Sequence, residues 1–152
     1  MSKEKNTQIT FGLHSFKILE FEMDNRITDY VEENLGYTIQ FRQEANKKES
    51  TVSLLMKVTA QEGENADKII GRIETRTTFH ISEIEKITNG EIINIPNNLG
   101  VTLLSISLST TRGAFAAKTE GHFLENHLIP LVNPQWMYED FLKSMQENQK
   151  TA

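Results

Sequence analysis

His122, Glu125 and His127 stand close together in the string GHFLENH, and imidazole with carboxylate is the ligand set of metal-assisted hydrolysis. The spacing is not that of a His-Glu-x-x-His helix, in which two histidines one turn apart share a face, and no carboxylate triad accompanies it. The triplet therefore reads first as surface side chains, with a small metal-assisted hydrolase as the alternative. Ser105, Ser107 and Ser109 alternate along the chain, but no base stands near them. There is no Gly-x-Ser-x-Gly elbow, no Gly-rich phosphate loop ending in Lys-Ser/Thr and no dinucleotide fingerprint. His14 and His80 are isolated. No catalytic residue, metal, cofactor or enzyme activity is expected. Glu20, Glu22 and Asp24 form an acidic comb at alternate positions, the pattern of the wet side of a strand.

Something must carry these groups, and composition limits what. The chain has 152 residues, 38% hydrophobic and 24% charged, which fits a single domain over residues 1–152 with a real core. The ordered part is expected at about 8–145, between polar tails. No apolar run approaches the roughly 18 residues of a membrane span. No apolar segment follows Met1-Ser2-Lys3-Glu4 to act as a secretion signal, so a cytoplasmic location is expected. The absence of cysteine removes disulfides and thiolate metal sites and agrees with a reducing compartment. A formal charge of −5, with scattered basic residues, argues against a nucleic-acid partner. Lys47-Lys48, flanked by Glu44 and Glu49, reads as a solvated turn.

The first two thirds of the chain alternate with period two. Phe16, Ile18 and, after a slip in phase, Leu19 and Phe21 make a strand in which the slip marks a bulge. Asp24 to Gly36 reads as a loop with a short helical turn. Tyr37, Ile39 and Phe41 form a second strand, and Val52, Leu54, Met56 and Val58 a third. Gln61 to Lys68 is a polar hairpin loop, and a β-branched run from Ile69 to Ile81 is a fourth strand. Four strands joined in succession predict an antiparallel meander, followed by helices, hence an α+β fold.

The stretch Leu99 to Arg112 is taken as a helix because Pro96-Asn97-Asn98 suits a helix start, either with Pro96 in the first turn or with Asn98 as N-cap, and Gly113 suits a C-terminal stop. The Ser, Thr and Val content leaves a strand as the competing reading. At about 100° per residue, Leu99, Leu103 and Ile106 share one face and Val101, Leu104 and Leu108 the opposite one. The first face is assigned to the chain's own sheet, and Val101, Leu104, Ser105 and Leu108 to a partner subunit. Asn133 as N-cap, Pro134 in first position and the stripe Met137, Tyr138, Phe141, Leu142, Met145 define a last helix. Between the helices, Ala114 to Val132 is an apolar, aperiodic connection that covers apolar surface.

This order of elements, with PNNL before the long helix, RGAF after it, LIPLVNP in the crossing loop and a closing helix, resembles the SecB-type export chaperones over about Phe16 to Leu142. The resemblance implies a cytoplasmic homotetramer, a dimer of dimers, that binds unfolded polypeptides without ATP and hands them to the translocation motor ATPase. It implies a client groove built from Phe115, Phe123, Leu124, Leu128, Ile129 and Trp136. Motor contact would fall on Glu20, Glu22 and Glu74, although Arg72 occupies the place of the second acid unless the strand is shifted by two. The family's typical tail, which helps engage a zinc-bearing partner segment, has no counterpart in QENQKTA, and GHFLENH lengthens the crossing loop. Both departures resemble SecB-like proteins dedicated to one client such as an antitoxin. An adaptor for a folded partner is the third class.

Overall fold

The computed structural model describes residues 9–24, 35–62, 68–89 and 92–150. Four strands, β1 (Phe11–Met23), β2 (Leu35–Asn46), β3 (Thr51–Glu62) and β4 (Ile69–Ile81), precede a small hairpin of β5 (Thr88–Asn89) and β6 (Ile92–Ile93). A 22-residue helix, α1 (Asn97–Lys118), and a last helix, α2 (Pro134–Lys150), complete the α+β fold. The expected turn of helix before β2 falls largely on residues 25–34, outside the described residues, as do most of the two polar tails.

The sheet is antiparallel throughout, in the order β1-β4-β3-β2. That corrects the expected meander. β2, β3 and β4 do follow one another, but β1 pairs with β4 instead of β2. The chain between Met23 and Leu35 is too long to act as a tight hairpin, so nothing compels neighbours in sequence to pair, and the result is a Greek-key order. The anticipated bulge is present: the β1–β4 register slips between Ile18 and Glu20, with a second slip between Leu13 and Ser15. Lys47 to Ser50 form the β2–β3 turn, where Asn46 Oδ1 accepts from the Glu49 amide at 3.1 Å.

Strict alternation gives the sheet two unlike faces. Val52, Leu54, Met56, Val58 and Ala60 of β3 and Ile73, Thr75, Thr77, Phe79 and Ile81 of β4 are buried beneath the helices. The opposite face carries Glu20, Glu22, Lys57, Arg72, Glu74 and Arg76. The core divides into two clusters, one around Met56, Val58, Ile73, Leu104, Leu108, Phe115 and Tyr138, the other around Val52, Leu54, Phe79, Ile81, Leu99 and Leu103. Buried hydroxyls lie between them on both layers: Thr75 Oγ1 and Thr111 Oγ1 share a hydrogen bond of 2.8 Å, and Ser107 donates to the Leu103 carbonyl at 2.8 Å.

The helical reading of Leu99 to Arg112 holds, but both ends differ from expectation. Pro96 occupies the N-cap, with Asn98 inside the first turn, and the helix runs through Gly113 to Lys118. Gly113 is exposed with open space around it, so it is tolerated as an ordinary helical residue. Thr119 ends the helix, its hydroxyl donating to the Phe115 carbonyl at 2.9 Å, and Gly121 supplies the left-handed turn at φ +83. At α2 the anticipated cap is in place: Asn133 Oδ1 accepts from the amides of Gln135 at 3.0 Å and Trp136 at 3.3 Å. Among the described residues, no helix is long and apolar enough to cross a membrane.

Candidate polypeptide-binding groove

β2 is an edge strand, so one row of its backbone N–H and C=O groups has no neighbouring strand among the described residues. Beside that edge, Ile39 and Phe41 face Leu131 and Val132 of the crossing segment and Trp136, Met137, Asp140 and Phe141 of α2. Together they bound a groove of about 790 Å³. Its floor is aromatic, with the rings of Phe41 and Phe141 4.6 Å apart. Leu131 is 86% and Trp136 69% exposed. Apolar side chains this open and this close to an unpaired strand edge form a surface that can take up both the side chains and the backbone of an extended peptide. Among the described residues, Asp140 is the one charged residue in the groove wall.

The crossing segment is held from three directions. Arg112 Nε donates to the Ile129 carbonyl at 3.0 Å and its terminal nitrogen to the Pro130 carbonyl at 3.3 Å. The Tyr37 hydroxyl donates to the His127 carbonyl, and burial pushes its pKa up to about 12. Ile129, 3% exposed, anchors the segment in the core, while Leu128 on one side and Leu131 on the other point outward.

The residues expected to line the groove therefore separate. Trp136 lines the groove and is exposed, Leu128 is exposed but outside the groove lining, and Phe123 is half-buried beside the rings of His122 and His127. Phe115, Leu124 and Ile129 belong to the core, a correction. Phe115 is covered because the last turn of α1 brings its ring edge-on to Phe21 and Tyr37, at 6.3 and 6.4 Å. Leu131, Phe41 and Phe141 were not singled out as site residues. In LIPLVNP the residues that precede the two prolines are Ile129 and Asn133, so the motif marks extended backbone around Leu131 without singling it out.

The expected subunit interface is also corrected. Leu104 and Leu108 are buried inside this chain, and Val101 and Ser105 are half-buried. The second apolar side of α1 is covered within the chain, by sheet residues such as Met56, Val58 and Ile73 together with Tyr138 of α2, which the two-faced pattern alone could not distinguish from a partner. Tyr138 of α2 stands over Gly100 and shares the cluster of Leu104 and Leu108.

On the outer face the acids are engaged. Arg72 contacts Glu20 at 2.7 Å and Glu22 at 3.2 Å, and Lys57 lies 3.9 Å from Glu74. His122, Glu125 and His127 do not converge: among the described residues, no three His, Asp or Glu side chains form a metal-binding group. His122 instead caps the short 3-10 turn Phe123–Asn126, with Nδ1 accepting from the Leu124 amide at 3.2 Å and Nε2 3.3 Å from the Asp24 carbonyl. Glu125 accepts from the Gly121 amide at 3.4 Å.

No protein-family model matches the sequence, and no curated protein matches it. Among solved structures, the fold is similar to the Mycobacterium tuberculosis SecB-like chaperone Rv1957 in complex with a ChAD peptide from the Rv1956 HigA1 antitoxin. The TM-score is 0.51 at 13% identity, over 80% of this chain and 89% of that one. The chain thus shares a SecB-like α+β fold.

Proposed function

We propose that the protein is an ATP-independent chaperone that holds extended, apolar polypeptide segments, with a dedicated client rather than general export as its task. The observation that carries this reading is the open groove of Leu131, Trp136, Phe41 and Phe141 laid along the edge of β2, which has no neighbouring strand among the described residues. An unfolded chain exposes apolar side chains and unsatisfied backbone together, and this surface offers a partner to each. The SecB-like neighbour carries a peptide from an antitoxin, which supports a polypeptide client. The engagement of Glu20 and Glu22 by Arg72 weighs against a free acidic face for a translocation motor, and so favours the dedicated version. Assembly into a tetramer is compatible with this reading but is not required by it.

The test is suppression of aggregation. Purified protein is mixed with a chemically denatured client at near-stoichiometric ratio without nucleotide, and light scattering is followed. Protection, together with no binding of the same client folded, is the expected result. Failure to protect at molar excess sinks the proposal, and binding of the folded form alone would make the protein an adaptor.

A further inference from the structure

Arg112, on α1, is not among the residues that line the groove, yet it donates hydrogen bonds to the crossing segment that forms one wall. We propose that Arg112 is a positioning residue for peptide binding: its guanidinium fixes the backbone at Ile129 and Pro130 and so holds Leu128 and Leu131 outward. This inference rests on the chaperone reading above and assigns the groove a determinant that touches no client.

The physical argument starts from the segment itself. Between the 3-10 turn and α2 it has no regular secondary structure, and a leucine as exposed as Leu131 loses apolar contact with water by folding back onto the protein. Something must oppose that collapse. Ile129 provides an inward anchor at one residue, but one anchor leaves the backbone free to rotate about it. A planar guanidinium donating to two successive carbonyls removes that rotation, which a single-donor side chain cannot do. With Ile129 inward and the carbonyls of 129 and 130 turned to Arg112, the neighbouring leucines have only the solvent side left. Tyr37, bonded to the His127 carbonyl, fixes the other end. A preformed wall binds more tightly because its ordering cost is met before the peptide arrives.

Trp136, the chain's sole tryptophan, lies in the groove and reports its occupancy. The probe is a synthetic tryptophan-free peptide of alternating leucine and serine with a terminal lysine pair, titrated against the full chain while Trp136 emission is read. Arg112→Met is expected to weaken binding roughly fivefold, the loss of about one net hydrogen bond's worth of positioning. Arg112→Lys should fall between Met and the parent, since an ammonium serves one carbonyl well. Far-UV circular dichroism should stay at the parent value, and Tm should fall by no more than roughly 2–4 °C. In a double-mutant cycle with Leu131→Ser, the two losses should not add, because Arg112 acts through Leu131.

Hydrogen exchange of the amides of residues 127–129, 131 and 132 reads the pinning with no peptide present, and should quicken in Arg112→Met. If the parent binds the peptide and Arg112→Met binds it equally, or exchange at those amides is unchanged, Arg112 is not a positioning residue. If the parent shows quicker exchange on substitution but binds no peptide, the chaperone reading is what fails, and this inference falls with it. Should Arg112→Met fail to fold, the Lys variant decides: folded with weakened binding upholds the assignment, folded with parent affinity overturns it.

Discussion

Gly100 of α1 lies directly beneath the ring of Tyr138 of α2, so close that a Cβ at position 100 would stand 2.2 Å from Tyr138 Cζ. The two helices meet at this point because one of them has no side chain there. Tyr138 is itself buried and stacked against Phe41, with ring centroids 6.5 Å apart, so it has no room to retreat.

Gly100→Ala is therefore expected to destabilise the protein by about 1–3 kcal/mol, the usual cost of overpacking, despite the better helix propensity of alanine. It should also displace α2 and alter Trp136 emission. Thermal unfolding monitored by that emission checks both. A gain in Tm would mean that the helices are not in contact at Gly100.

Substitutions at the two kinds of apolar residue should part cleanly. Phe115→Ser, in the core, is expected to cost about 3–5 kcal/mol, a range set by losses of buried phenylalanine to small side chains. Leu131→Ser and Trp136→Ser should leave stability within about 0.5 kcal/mol, as at other exposed positions, while reducing protection of a denatured client. Denaturant titration beside the aggregation assay distinguishes the classes. Loss of folding in the Leu131 variant would place that leucine in the core.

Alkaline stability should depend on Tyr37. Its folded pKa is raised from 10.0 to about 12 by burial, so the neutral phenol is the form that the fold holds. That contribution is complete below pH 10 and is lost as pH rises toward about 12. Tyr37→Phe should flatten the decline in that window, although not abolish it, because Tyr138 is also raised by burial and retains its share. Unfolding midpoints measured across the window decide; an identical slope in the variant would exclude Tyr37 as the group.

Arg72→Met should cost no more than about 1 kcal/mol, the ordinary scale of a surface ion pair, since Glu20 and Glu22 face water. The loss should shrink as salt is added. Comparing Tm of parent and variant at low and high ionic strength tests this. A loss that ignores salt would mean that Arg72 contributes by packing its stem.

The four strands of the main sheet, both helices, the β1 bulge and the Asn133 cap were legible because each rests on local chemistry: alternation, a phase slip, a proline after an asparagine; the two-residue strands β5 and β6 are too short to show a period. Strand order was not, because pairing of β1 with β4 depends on how a long connection travels, which local pattern does not encode. Periodicity showed that α1 is apolar on two sides. It could not show that the sheet and α2 cover the second side within the chain, and so Leu104 and Leu108 were assigned to a partner. The groove was half legible for the same reason. Trp136 and Leu128 look no different in sequence from Phe115 and Leu124, and only the placement of the crossing segment decides which of them reach solvent.

The hydrogen bond between Thr75 and Thr111 acts as an index mark for the helix on the sheet. Apolar surfaces slide over one another at little cost, since one leucine fits about as well against a valine as against the next. A buried hydroxyl pair has one position of satisfaction, and a shift of α1 by a single turn, about 5.4 Å, would bring Leu108 or Phe115 toward the place of Thr111 and part the two hydroxyls in an apolar layer. The seam between the two core clusters thus fixes the axial setting of α1. Through Arg112, one residue further along the same helix, it sets where the crossing segment is gripped.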